Sequence, residues 1–207
     1  LVPDLPRIRL SSIDGVEIDA RLFDLLTGEA RLMPHVHLSL QAGDNLILKR
    51  MKRRHSRELA TDLVARLKAK RPDIASGADI IAGFPTEDVA MFANSVDLIR
   101  QCGIVHGHIF PYSSKKGTPA ARMQQLPRQI IKVRAKALRD AVAVQKNNWM
   151  NSLVGTVQNV AVESGGLAGH AENFAYLKLD RIMAEGSIVA ARVTHTQEGN
   201  LQAEVIE

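Results

Sequence analysis

The sequence predicts an α/β protein: a parallel βα layer over residues 1–148, followed by a small all-β barrel over residues 149–207. Three observations carry this. Up to Trp149, short apolar runs alternate with longer amphipathic ones at 25–35 residues per unit, the spacing of parallel βαβ connections. After Trp149, five short apolar runs fall within about 57 residues, separated by Gly165-Gly166, Gly169, Gly186 and Gly199-Asn200, the pattern of a small OB-like barrel. Charge divides near the same place. Residues 1–150 carry 24 Lys+Arg against 15 Asp+Glu, and residues 151–207 carry three against seven, so the net +5 of the 207-residue chain splits into +9 and −4.

Arg7–Ser11 reads as a first strand, and Val16–Leu26 as a helix stopped by Gly28. His35–Gln41 reads as a second strand. Ser56 can cap a helix to Lys70, with Leu59, Leu63, Val64 and Leu67 on one face. Ala78–Phe84 reads as a third strand, ended by Gly83 and Pro85. Thr86 is placed to cap the next helix, where Val89, Phe92, Val96 and Ile99 recur at helical spacing. Ile104–Tyr112 reads as a fourth strand. Pro127 suits a first helical turn, opening a helix to about Lys146. In the tail, 153–157, 160–163, 175–179, 187–193 and 201–206 read as strands.

Composition narrows the class. Hydrophobic residues at 45% and charged residues at 24% exclude a wholly disordered chain. No run approaches the ~18 apolar residues that a membrane-spanning helix needs. The single cysteine, Cys102, excludes an internal disulfide framework or a cysteine cluster, and suits a reducing cytoplasm. Leu1-Val2-Pro3-Asp4 lacks an initiating Met and a signal-peptide pattern, which reads as an internal start and so as a fragment.

Two strands hold unusual chemistry. Alternation puts His35, His37, Ser39 and Gln41 on one face, opposite Val36, Leu38 and Leu40. With the apolar face on helices, the polar face lines a wet, ligand-holding interior; the alternative is an exposed edge strand. A zinc pair from His35 and His37 has no obvious third ligand. In the fourth strand His106, His108, Phe110 and Tyr112 share a face, and Phe110 and Tyr112 stand at the strand end where βα folds bind ligands. Gly83, between Ile81-Ala82 and Phe84-Pro85, allows close backbone approach. Ser39, Gln41, Gly83, Phe110 and Tyr112 are therefore expected to converge at one end of the sheet. Lys49–Arg57 holds six basic residues plus His55 in nine positions, and Lys115-Lys116 follow the fourth strand. Both fall at the ligand-bearing end and suit phosphate or carboxylate contacts.

Together the stretches HVHLSLQAG (35–43), LKRMKR (48–53), DIIAGFPTE (79–87), FPYS (110–113) and GTPA (117–120) resemble the radical S-adenosylmethionine methylthiotransferases, in their order and spacing. The wording is most similar to the branch acting on N6-threonylcarbamoyladenosine in tRNA. Residues 151–207 resemble the TRAM domain that ends such enzymes. The resemblance implies the later part of a partial βα barrel followed by TRAM. It also implies S-adenosylmethionine and, in the full-length enzyme, two 4Fe-4S clusters whose cysteine ligands are absent from this sequence. This chain as given should then bind no cluster. The reaction implied is hydrogen abstraction from C2 of adenosine 37 by a 5′-deoxyadenosyl radical, then methylthio insertion.

The same resemblance puts Ser39, Gln41, Arg53, Gly83, Phe110 and Tyr112 against the cofactor, Arg53 standing at the family's Met-x-Arg arginine. Lys49, Arg50, Lys52, Arg54, Lys115 and Lys116 fall to tRNA; no catalytic side chain and no metal ligand is assigned. Ala42 departs from the usual serine of the QSG motif, and Lys115 from the common arginine. Two alternatives stand: a ribosomal-protein aspartate methylthiotransferase, which the −4 tail suits, and a non-catalytic RNA binder on a degenerate scaffold.

Overall fold

The computed structural model describes residues 4–163 and 165–206; Leu1–Pro3, where the internal start is read, lie outside the described residues. Three strands, β1 (His35–Gln41), β2 (Ala75–Ala82) and β3 (Ile104–Pro111), pair in parallel in that order. Helix α1 (Ala20–Gly28) precedes them. Helices α2 (Asn45–Arg50) and α3 (Arg57–Lys70) connect β1 to β2, α4 (Val89–Cys102) connects β2 to β3, and α5 (Arg128–Leu153) follows. Five further strands then close a barrel in the order β4 (Val157–Val162), β5 (Ala168–Ala171), β6 (Tyr176–Leu179), β8 (Asn200–Val205), β7 (Ile188–Gln197).

Alternation along the parallel strands decides which side is core. Val36, Leu38 and Leu40 of β1, Ala78, Ile80 and Ala82 of β2, and Ile109 of β3 are buried on the helical side. They meet Leu63, Val64 and Leu67 of α3, Leu98, Ile99 and Cys102 of α4, and Ala135, Leu138 and Val142 of α5. A one-residue slip of any strand would turn its apolar set to the other face. Gly107 lets α5 sit directly on β3, since a Cβ there would lie 2.5 Å from Val142 Cγ2.

Several local expectations are corrected. Residues 7–11 form no strand; Ile8 makes one isolated bridge to Leu32, and Arg7 and Arg9 reach instead to the barrel. The helix expected over 16–26 is a short 3-10 turn at Gly15–Glu17, then α1, because Asp19 caps a new start by accepting from Leu22 N. Ser56 does cap α3. Asp88, not Thr86, caps α4: its carboxylate accepts from Met91 N at 2.8 Å. Val89 and Leu59 stand in the first turns of their helices and point to solvent.

The long helix runs seven residues past Lys146 because Trp149, Met150 and Leu153 give its last turns a second core, the barrel interior. α5 thus crosses residue 148 without a break. In the tail, Leu153–Val157 is not a strand. Leu153 ends α5, β4 occupies 157–162, and the glycine-bearing stretch at 168–171 is a strand. Gly169 is needed there: a Cβ would lie 2.0 Å from the Ala161 carbonyl oxygen of β4.

Gly43, which follows β1, packs with comparable closeness. Its N–H donates to Ser95 Oγ at 2.9 Å, and a Cβ would stand 2.3 Å from the Asn94 carbonyl oxygen and 2.5 Å from Ser95 Cα. Both neighbours are α4 backbone and cannot rotate away. Gly43→Ala is expected to cost about 3 kcal/mol, the upper end of overpacking, read as a lower midpoint in urea unfolding.

Candidate functional site

The C-terminal ends of β1 and β2 and the loop after β3 bound an open cleft of about 360 Å³ lined by Gln41, Arg50, Met51, Lys52, Arg53, Ile81, Phe84 and Thr118–Ala120. Gln41 enters it from a left-handed backbone (φ 66) where the β1–β2 register shifts. Thr86, bonded to the cleft residue Arg50, is also left-handed (φ 68), and its hydroxyl receives Arg50 Nη1 at 2.6 Å. Strained non-glycine residues of this kind persist where the surroundings over-determine them, often beside ligands. Arg53 donates Nη2 to the Ser39 carbonyl at 2.9 Å, while its Nε is buried with no partner.

The structure therefore brings Ser39, Gln41 and Arg53 together. Phe110 stands beside Ile81 in register and is half exposed on the same face. Tyr112 turns toward Phe84, with the rings edge to face at 5.4 Å. Gly83 faces α5 instead: a Cβ would lie 2.8 Å from Ile131 Cγ1, so its close approach is to a helix. Of the basic run, Lys49, Lys52 and Arg54 are exposed, as are Lys115 and Lys116. Arg54 pairs with Glu17 at 3.1 Å. Arg57 is structural, tying the Gly43 and Asn94 carbonyls and Asp97. His55 is buried, with Nε2 on the Leu40 carbonyl at 3.1 Å.

Deeper on the same face lies a polar row. Asp79 Oδ1 accepts from both His37 Nε2 at 3.0 Å and His108 Nδ1 at 3.1 Å. His37 lies over Gly77, where a Cβ would come within 2.4 Å of its Nδ1. These three ligand atoms lie within 4.8 Å of one another and could hold a metal ion. The set is not the His35–His37 pair: His35 points toward the barrel.

At the other end of the strands, His35 and His106 meet Phe174 at 4.8 and 5.4 Å between ring centroids, and Trp149 stands 5.3 Å from His106. Arg9 sits 4.7 Å over the Phe174 ring and donates to the Ala171 and Glu172 carbonyls. Neither His35 nitrogen has a partner, nor does His106 Nε2. Burial, then the nearby Arg9 charge, holds His35 down to about 4; burial, then His35, holds His106 down to about 3.

Comparison with known proteins adds similar sequences and one similar structure. Residues 7–99 match the radical SAM superfamily. The chain is 46% identical over 206 residues to the threonylcarbamoyladenosine tRNA methylthiotransferase MtaB of Rickettsia prowazekii, covering all of this chain and 49% of that protein. The chain is similar to a tRNA methylthiotransferase along its whole length. A tRNA-2-methylthio-N(6)-dimethylallyladenosine synthase of Rickettsia rickettsii is 31% identical over 213 residues, covering 99% of this chain and 48% of that one. Among solved structures, Escherichia coli coproporphyrinogen III oxidase (HemN), a radical SAM enzyme, superposes with a TM-score of 0.53 at 14% identity. That match covers 97% of this chain and 51% of HemN, and shows the fold alone. The chain spans about half the length of the curated relatives it matches.

Radical SAM chemistry implies S-adenosylmethionine and an iron–sulfur cluster. The residues present fit the first: the orphaned, buried Nε of Arg53, in a cleft with Gln41, suits a carboxylate. They do not fit a cluster. The one cysteine, Cys102, is buried on α4, and burial pushes its thiol up to about 11 despite the nearby Lys68. Residue-by-residue reading passed over Asp79. The available signal was a His-x-His pair on each outer strand with an acid at the matching parity on the strand between. It also passed over the buried Glu87–Arg134 pair at 2.8 Å, which ties the turn after β2 to α5.

The strand-to-barrel seam has a pH signature. As pH falls below about 6.5 the unfolded chain takes up protons at His35 and His106. The folded chain refuses them until about 4 and about 3 respectively. Stability should therefore fall with pH across that window by roughly 1.4 kcal/mol per pH unit for each group. His106→Phe should shallow that slope in urea unfolding followed from about pH 7 to about pH 5.

Proposed function

We propose that this chain is the S-adenosylmethionine- and tRNA-binding half of a methylthiotransferase that modifies C2 of N6-threonylcarbamoyladenosine at position 37 of tRNA. The observation that carries it is the 46% identity to MtaB along the whole chain. The strand-end cleft holding Gln41 and Arg53 supports it. We read the parallel sheet as the later part of a partial βα barrel, and the closed barrel of β4–β8 as a TRAM-like module. No helix of the described residues is long and apolar enough to cross a membrane, and a cytoplasmic tRNA substrate suits that.

When bound, S-adenosylmethionine would supply the hydrogen-abstracting deoxyadenosyl group of such an enzyme. The residues of this chain bind and orient. Arg53, held by the Ser39 carbonyl, would hold the cofactor's carboxylate through its open Nε. Gln41 would hydrogen-bond beside it, and Ile81 and Phe110 would offer apolar surface to the adenosine. The exposed Lys49, Lys52, Lys115 and Lys116 border the same end and take tRNA phosphates. Arg50, engaged with Thr86, and Arg54, engaged with Glu17, assist them. The barrel segment, at net −4, contributes shape and base contacts more than charge.

Nucleoside mass spectrometry tests the activity. Full-length protein should restore 2-methylthio-N6-threonylcarbamoyladenosine to tRNA from cells lacking that modification, and Arg53→Ala should abolish this. Unmodified N6-threonylcarbamoyladenosine beside a methylthiolated ribosomal aspartate would favour the second reading, for which the −4 barrel speaks. A salt titration tests the interface. Replacing Lys49, Lys52, Lys115 and Lys116 with Ala should reduce the slope of log K against log salt by about 3, at roughly 0.7–0.9 per lost phosphate contact. Replacing Lys178 and Arg192 should change it less.

A further inference from the structure

We propose that His37, Asp79 and His108 form the subsite that recognises the polar N6-substituent of the target base. The inference rests on the reading above and deepens it by naming what sets substrate choice. The three side chains line up across β1, β2 and β3, with Asp79 and His108 paired in register. They lie on the face that carries Ile81 and Phe110, two residues deeper, or roughly 7 Å along the strands. A base resting against the cofactor cleft would point a substituent of a few ångströms into this row.

The chemistry of the row is selective. Asp79 Oδ1 accepts from both imidazoles, which fixes the carboxylate and both rings. Asp79 Oδ2 and His108 Nε2 then have no hydrogen-bond partner among the described residues. His37 is buried, Asp79 is half-buried, and the His108 side chain is 64% exposed. The subsite thus offers an anchored acceptor and an anchored imidazole nitrogen. A carbamoyl-linked hydroxy amino acid brings N–H, hydroxyl and carbonyl groups to meet both. A branched hydrocarbon substituent would bury both and satisfy neither. Sites built to hydrogen-bond a substrate group reject analogues lacking it far more strongly than apolar pockets reject an added polar group.

The test compares two tRNA substrates with full-length protein, one carrying N6-threonylcarbamoyladenosine and one carrying N6-dimethylallyladenosine. For the wild type, kcat/KM should favour the first. His108→Phe should raise KM for it about tenfold or more, narrow the preference, and leave the melting midpoint unchanged. His108→Gln, which keeps a hydrogen-bonding group, should recover much of the loss, and Asp79→Asn should act in the same direction as His108→Phe. A wild type that methylthiolates neither substrate overturns both this inference and the function on which it rests. An active wild type whose KM and preference are untouched by His108→Phe and Asp79→Asn overturns the inference alone.

Discussion

The parallel register of β1, β2 and β3 is the constraint on which the remainder of the structure depends. It sets His37 beside Gly77, Asp79 beside His108, and Ile81 beside Phe110. Parallel pairing also brings all three C-terminal ends to one edge, so the loops after Gln41, Ala82 and Pro111 meet around a single cleft. Strand direction thus separates the face by depth. The strand ends carry the cleft with Gln41 and Arg53, the middle of the face is polar, and the opposite end is closed by the barrel.

The two faces of that sheet are stabilised differently. The helical face relies on apolar burial from α3, α4 and α5, with Gly107 admitting α5 at close range. The other face carries imidazoles and a carboxylate, which stay in place through shared hydrogen bonds and through Gly77 leaving room for the His37 ring. Removing side-chain volume at Gly77 is what permits a buried histidine beside a buried strand. The shared Asp79 Oδ1 orients both rings while Asp79 Oδ2 and His108 Nε2 stay open, which suits recognition.

The barrel is joined to the sheet by three kinds of contact. α5 is one unbroken helix of 26 residues, roughly 39 Å long at 1.5 Å per residue, that buries one stretch against β3 and its last turns in the barrel core. Arg7 and Arg9 donate to barrel carbonyls, and Arg9 lies over Phe174. The His35, His106, Phe174 and Trp149 rings fill the space between. Because both His35 nitrogens and His106 Nε2 are buried without partners, this seam is sensitive to protonation while the apolar cores are not.

By itself the sequence determined the parallel α/β class, the central strands at 35–41 and near 104–112, the Ser56 cap and the family resemblance. Each is carried by local signals: alternation with period two, a capping hydroxyl, or a run of specific residues. The histidine-bearing face of β1 and β3 was equally legible from alternation. What joined them was not, because Asp79 comes from a third strand and only the register shows which residues stand side by side. Tertiary structure also decided where α5 ends, since its last turns are held by a core formed from residues beyond it, and it turned Gly83 toward Ile131. It separated the basic run into exposed Lys49 and Lys52 and structural Arg57, a distinction charge alone cannot carry. Sequence spacing specifies what neighbours along the chain can do together, whereas contacts such as His37–Asp79–His108 and Arg53–Ser39 depend on strands and loops meeting in space.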